Sequence, residues 1–437
     1  MPPRADQQPE HDTWLTDLRE AHQEHFGVPP QSIARVPGSW PLIGEHSDPF
    51  GGISLHVLCD ADTRLSLSPT RTAQLRIRWE EADAPALHID ADINTLVQSL
   101  QEGSEDHQPG TDDEELASLL ALTMSSLHQR QMLSRSVHGA DILIRSTIPH
   151  QAGLGLLSSI HVAFALAATC SEEGVDVPTR ARLADVLAHS AAVIAPARPA
   201  LSRLHALLRA QDSGHGVVDH ADGAVTRSPS ILTPGTQAWL VRPAPAGAAP
   251  APTEEVRASL AQRFALAQRA AHDFGTAHLR LLPHAPTRVP EWLAAYRHVH
   301  GLEGQPSPDE AATWLGFWEA ETQRAAKLNS ALHAQHHSTA WTLINDSARA
   351  LRENYGLSTP DAALAQLCLR AGAVAARPVL AGLSTACIAY TTPSSPVETP
   401  EVLSTLSAHG LDVLELHEGH PSSVTVLSPR QVSAEGD

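Results

Sequence analysis

The sequence predicts an α+β protein with two lobes. Three observations carry this expectation. The first half intersperses β-rich segments such as ISLHVLC (53–59) and ADILIRSTIP (140–149) with apolar helical stretches. The second half is mainly long helical patterns with a few late strands, so helices pack on one side of mixed or antiparallel sheets. A chain of 437 residues exceeds what one small core organises, which makes two domains the default.

Each element has its own warrant. Residues 12–26 place apolar side chains at helical spacing behind an Asp in cap position, and Gly27 with the prolines beyond it ends that helix. Residues 32–44 read as a strand and turn, and 53–59, 64–69 and 73–79 as sheet strands. The acidic run at 102–115 reads as a solvated loop, followed by a strong helix at 115–131. The strand at 140–149 runs into a glycine loop, HQAGLGLLSS (150–159), then a helix at 160–170 and another at 180–195. Strands are expected at 214–220 and 238–244, with a Pro/Ala crossing loop at 243–255. Helices follow at 254–274, 291–299, 311–335, 339–355 and 361–375, then strands at 384–392 and 422–429 flanking a helix at 401–410. The expected division is an N-terminal lobe over 1–225 and a C-terminal lobe over 226–437.

Composition excludes several classes. The net charge of −19 offers no basic stripe to nucleic acid phosphates. No segment reaches the length of a transmembrane helix, so no membrane partner is expected. The opening MPPRADQQPEHDTW lacks the apolar core of a secretory leader, and a cytoplasmic location is expected. Cys59, Cys170, Cys368 and Cys387 stand far apart in apolar surroundings and read as buried thiols, neither a disulfide frame nor a zinc site. His333, His336 and His337 would share a helix face, but no Cys, Asp or Glu completes a metal site, and no metal is assigned.

The stretch VPGSWPLIGEHSDPFGG (36–52) gathers Glu45, His46 and Asp48 into one turn before a Gly-Gly pair, a cluster suited to a small hydrogen-bonding ligand. It resembles the galactokinase signature GRxNLIGEHxDY at Gly38, Leu42, Ile43, Gly44, Glu45, His46, Asp48, Gly51 and Gly52. IPHQAGLGLLSS lies where that family has a P-x-G-x-G-L-S-S-S phosphate loop, and 347–377 resembles its SLRDDYxVSTPE…GAR segment. The resemblance implies the fold of the GHMP kinase superfamily, with a ligand cleft between the lobes. The sugar-signature segment would span 12–60 and the phosphate-loop region 115–195. The resemblance also implies that Glu45, His46 and Asp48 bind the hydroxyls of galactose or a related sugar.

The same comparison exposes breaks. The signature arginine falls on Ser39, its asparagine on Pro41 and its tyrosine on Pro49. A hydroxyl cannot replace a guanidinium across a transferring phosphoryl group. The loop keeps Pro149, Ala152, Gly153 and Leu154, but the three family serines fall on Gly155, Leu156 and Leu157. Ser158 and Ser159 follow, as shifted substitutes or as caps of the helix at 160. Nucleotide contacts, if kept, would fall on Gly153, Gly155, Ser158 and Ser159. Counting back from GHGVVDH places Leu204 on the catalytic aspartate, between Arg203 and His205, with Asp212 and Asp219 the nearest acids. The family's late GGGFGG loop becomes Leu380-Ala381-Gly382-Leu383-Ser384-Thr385, which keeps one glycine.

Three functions fit this pattern. The first is a catalytically impaired relative that binds a galactose-class sugar as a sensor or regulator, with no cofactor and an unidentified protein partner. The second is an active sugar kinase using ATP and Mg²⁺ on the anomeric hydroxyl, with Arg203 and His205 as relocated catalytic groups. The third is an interaction protein without a ligand.

Overall fold

The computed structural model describes residues 8–427 except 82–83, 103–111, 172–173, 195–200, 211–213, 245–252 and 302–303. The chain begins with α1 (Gln8–Phe26), β1 (Ser32–Ile43) and β2 (Ile53–Thr70). A hairpin, β3 (Gln74–Glu81) and β4 (Ala84–Asp92), precedes α2 (Ile93–Gln101) and α3 (Asp112–Gln129). After β5 (Gly139–Ser146) come α4 (Leu156–Thr169), α5 (Val177–Ile194), α6 (Leu201–Arg209), β6 (His215–Asp219) and β7 (Ala224–Ser228). The second half holds β8 (Gln237–Pro243), α7 (Glu254–Asp273), α8 (Ala285–His300), α9 (Pro308–His333), α10 (His337–Glu353) and α11 (Pro360–Ala371). It ends with β9 (Ala375–Pro378), β10 (Cys387–Thr391), α12 (Thr399–Ala408), β11 (Leu411–Leu416) and β12 (Ser423–Val426).

Two sheets result, as the α+β expectation requires. The first runs β12-β1-β2-β5-β3-β4, with β6 and β7 extending from the first half of β2. The second runs β11-β8-β10-β9 and is antiparallel throughout. Two strands differ from the expected lobe limits. β7 crosses the boundary at 225, and β12 returns from the C-terminal end to pair with β1.

The two strands expected at 53–59 and 64–69 are one. The polar residues between them stay in the sheet because Asp62 is buried and paired with Arg35 and Arg64. Pro37 and Pro41 sit inside β1 at its two register shifts, where a residue without an N–H costs least. Sequence pattern alone did not anticipate β4, α2, α6, β7, β9 and β11. The last is half-exposed and sits at a sheet edge, so packing rather than alternation holds it. The helix at 160 begins earlier, with Gly155 as its N-cap, so Ser158 and Ser159 lie inside its first turn and do not cap it.

The core is layered around the first sheet. One face packs Val36, Leu58, Leu65 and Ile142 against α3 to α6. The other packs Trp40, Leu42, Leu55 and Val57 against α9, α10 and the second sheet. The segment after β1 therefore emerges where both sheets and α9 meet. The stretches at 102–115 and 243–255 fall largely outside the described residues. His333 ends α9 while His336 caps α10, so the three histidines span a break between helices and not one face. Among the described residues, no group of three or more His, Cys, Asp or Glu is placed to hold a metal ion. Cys59, Cys368 and Cys387 are buried and free, whereas Cys170 is half-buried, contrary to expectation. Among the described residues, no helix is long and apolar enough to cross a membrane.

Gly44 fixes the exit from β1. Its φ is +89°, and a Cβ there would lie 2.2 Å from the Ile53 carbonyl oxygen and 2.5 Å from Ser54 Cα. Both are backbone atoms, so nothing nearby can yield. Gly44→Ala is expected to cost at least about 3 kcal/mol, read as a fall in melting temperature; an unchanged melting temperature would contradict this account of the turn.

Candidate functional site

The turn after β1 is knitted from all sides. Gly44 N–H donates to Glu321 Oε1 at 3.0 Å, and Ser347 Oγ donates to the same oxygen at 2.5 Å. Glu321 is fully buried on α9 and also pairs with Arg324. Ser47 Oγ closes the turn on Gly44 O at 2.7 Å, and Gly52 N–H returns to Ser47 O at 2.9 Å. Arg280 reaches Gly51 O at 3.0 Å and also holds Asp219.

Within this frame the three expected sugar residues take different tasks. Glu45 is occupied by the protein. Its Oε2 accepts from Arg377 at 2.7 Å, and its Oε1 accepts from the Ala381 N–H at 2.8 Å. Burial pushes this carboxyl up to about 7, against the pull of Arg377 and the Ala381 N–H. His46 adopts a left-handed backbone, φ +60°, and its Nε2 donates to Ala381 O at 2.9 Å. Burial holds the ring down to about 4, so it is neutral near pH 7 with Nε2 protonated and Nδ1 an acceptor. That Nδ1 has no partner, and neither does Asp48 Oδ1. Burial pushes the Asp48 carboxyl up to about 7. Two unpaired acceptors on one turn are what hydroxyl donors of a polyol would satisfy.

An aromatic wall stands beside them. Tyr355 stacks on His46 with centroids 5.7 Å apart and on Phe317 at 4.3 Å. Arg263 lies over Tyr355 at 4.1 Å and donates to its carbonyl at 2.6 Å.

The phosphate-loop side is arranged differently from the expectation. Ser39 is fully buried; its N–H donates to Leu154 O at 2.9 Å, and its hydroxyl has no partner. Gly153 packs against the 379–386 loop, where an added Cβ would lie 2.9 Å from Ser384 Cβ. Gly155, with φ +82°, packs against Arg203: an added Cβ would meet Arg203 Cδ at 2.5 Å and Nε at 2.8 Å. Arg203 also donates to Gly153 O at 2.6 Å. The loop at the N-terminus of α4 is thus covered by an arginine side chain.

Several expected positions need correction. Leu204 does not face the loop; it is fully buried in the core of the first sheet. Arg203, one residue earlier on α6, is the group that reaches the loop. His205 lies about 200° around α6 from Arg203, and burial, then Arg209, hold its ring down against Asp185, so the two expected substitutes are not brought together. Ser159 turns away from the loop and donates to Val36 O at 2.8 Å from a fully buried position. It offers nothing to a nucleotide. Ser158 is half-buried in the first turn of α4.

The sequence reading gave no role to Glu321 or His56, nor to Tyr355 and Arg377, although both lie in the 347–377 segment. His56 is buried on β2 opposite Pro41, with neither ring nitrogen partnered. Burial, then the nearby Arg203, His220 and Arg377, keep it neutral. The signal was present: His56 is the polar residue in the middle of an apolar strand. A cavity of about 440 Å³ lies between α2 and α3, and another of about 320 Å³ lies beside α1; neither is lined by a residue of the signature turn.

The galactokinase galactose-binding signature is matched over residues 20–69. A galactokinase of Roseiflexus sp. (strain RS-1) is 32% identical over 149 residues, which are 34% of this chain and 33% of that protein. One of Chloroflexus aggregans is 28% identical over 152 residues, 34% of each. The match thus spans about a third of the length of these relatives. In three dimensions the chain is similar to Lactococcus lactis galactokinase, solved with galactose, at a TM-score of 0.69 and 18% identity over 94% of this chain and 99% of that one. Methanococcus jannaschii mevalonate kinase follows at 0.53 and 13%, covering 88% and 98%.

The buried Asp48 gives a pH signature. Its folded pKa of about 7 stands above its unfolded value, so the native state holds the proton more tightly. Its stabilising contribution is complete below about pH 4 and is lost as pH rises through about 7. Asp48→Asn never ionises. The melting temperature of Asp48→Asn relative to wild type should therefore climb between pH 5 and pH 8, and a difference independent of pH would contradict the burial of this carboxylate. Arg377→Met should leave Glu45 buried and unpaired, and cost about 3–5 kcal/mol in chemical denaturation. A change under about 1 kcal/mol would show that the pair does not hold the turn.

Proposed function

Starting from a chain that is galactokinase-like in fold and in its galactose-binding signature, we propose that it binds a galactose-class sugar at the signature turn and has lost efficient phosphoryl transfer. The carrying observation is that the turn keeps free acceptors while the loop is filled. Asp48 Oδ1 and His46 Nδ1 are buried without partners, whereas Arg203 lies across Gly153 and Gly155. Glu45 acts in this account as the brace that aims the other two, through Arg377 and Ala381.

The residues at the loop do not fit a magnesium–nucleotide group. Phosphoryl transfer needs backbone N–H groups open to phosphate oxygens, a metal ligand, and a base near the accepting hydroxyl. Here the Arg203 stem covers Gly155, Leu156 and Leu157 open α4, and Leu204 is in the core where a carboxylate was expected. Removing one charge-stabilising donor costs about 10²–10³ in rate, and removing a general base about 10²–10⁴. A sugar-responsive sensor or regulatory subunit is the role this leaves. Because the site atoms are buried, a sugar enters when the 379–386 loop parts from the turn.

The position of Arg203 also favours a second reading, in which it is a relocated cation of an active kinase. Turnover separates the two. Galactose should raise the melting temperature saturably, and Asp48→Asn should weaken that binding at least about tenfold. Sugar-dependent ADP release should be at least about 10³-fold below that of an active galactokinase assayed alongside. Turnover within tenfold of the comparator, abolished by Arg203→Ala, would overturn the proposal in favour of the kinase. No response to galactose would overturn the sugar reading.

A further inference from the structure

Arg203 is a buried cation without a counter-charge. Among the described residues, no carboxylate lies within ion-pair distance of it; its one bond is to Gly153 O, and its Nε has no partner. The carboxylate that acts on it is Glu45, which is already claimed by Arg377. Other unsatisfied groups share this region. His56, buried and acted on by both Arg203 and Arg377, has both ring nitrogens free, and Ser39, whose N–H donates to Leu154 O in the loop, has a free hydroxyl. The N-terminus of α4, a fourteen-residue helix, begins at Gly155 beside the guanidinium and adds its partial positive charge. The Arg203 guanidinium therefore has no carboxylate of its own among the described residues, because Glu45 is held by Arg377. An unpaired charge in such a place is costly unless an anion completes it.

We propose that this region receives an anionic group carried by the sugar itself, a phosphate ester or a carboxylate, so that the preferred ligand is a sugar phosphate or sugar acid and not the neutral hexose. This rests on the sugar-binding reading above: Asp48 and His46 hold the hydroxyls, and Arg203 with His56 holds the anion. A free nucleotide is disfavoured because the Arg203 stem already fills the concave side of the loop. A single anionic group needs only the guanidinium edge and the imidazole.

Calorimetric titration of the full chain with galactose, galactose 1-phosphate, galactose 6-phosphate, galacturonate, inorganic phosphate and Mg–ATP tests this. At least one anionic sugar should bind about 10–100-fold more tightly than galactose, as charge-assisted hydrogen bonds add. Its identity distinguishes phosphate from carboxylate. Arg203→Gln should remove that advantage while galactose affinity stays within about threefold. Should Arg203→Gln fail to fold, His56→Gln should reduce the advantage at least about threefold. Galactose binding equal to that of every anionic sugar overturns the inference and leaves the sugar reading standing. Inorganic phosphate binding lost in Arg203→Gln, with no sugar of any kind bound, overturns the sugar reading and this inference with it. Mg–ATP binding more tightly than every sugar, and lost in Arg203→Gln, overturns the inference.

Discussion

The buried pair between Glu45 and Arg377 is the constraint on which the rest of the molecule is arranged. Glu45 leaves the end of β1 in the first sheet, and Arg377 leaves β9 in the second; both are fully or almost fully buried and meet at 2.7 Å. Arg377 also donates to Leu42 O, the penultimate residue of β1. Neither charge is tolerable alone in that place. Around the pair, Ala381 gives its N–H to Glu45 and its carbonyl to His46, so the 379–386 loop is bound to the signature turn on both of its peptide faces. Asp361 then holds Gly382 N–H at 3.0 Å from the start of α11. One ion pair thus sets the distance between two sheets, and the loop that spans them.

This arrangement separates holding from reacting. The conformation of the turn is paid for by Gly44, Glu321 and the Glu45–Arg377 pair, leaving Asp48 and His46 with free acceptors. A hydrogen-bonding ligand is the natural completion of such atoms. Across the strand, the positions where a reacting group was expected are taken up by packing. Ser39 is silent in the core, Leu204 fills the first-sheet layer, and Ser159 braces β1. Arg203 is the exception, a charged side chain that reaches the loop at Gly153 and Gly155.

Much of this was legible before the structure. The GEHxD run named the turn, and the positions of Gly155, Leu156 and Leu157 named the loop beside it. Pattern alone also gave the long helices α3, α7, α9 and α10, whose apolar periodicity is strong. It failed where contacts over long sequence distance decide. Glu45 was expected to grip a sugar, yet its partner Arg377 is 332 residues away, and the 347–377 segment that ends in it says nothing of their meeting. Counting residues put Leu204 at the reacting position; a helix turns about 100° per residue, so a shift of one exchanged a core leucine for the loop-facing Arg203. α6 itself escaped notice because Arg203 and His205 interrupt its apolar stripe while being buried. His56 was visible as a polar residue in an apolar strand, but only the approach of α6 and β9 gives it meaning.

The central claim is that one half of the site still holds a sugar while the other no longer holds a nucleotide. Saturation-transfer NMR on the purified chain, with galactose and Mg–ATP present together, tests both halves in one sample. The account predicts saturation on the sugar protons and none on the adenine H8. Saturation of adenine H8 that is suppressed by excess inorganic triphosphate, or silent sugar protons, would contradict it.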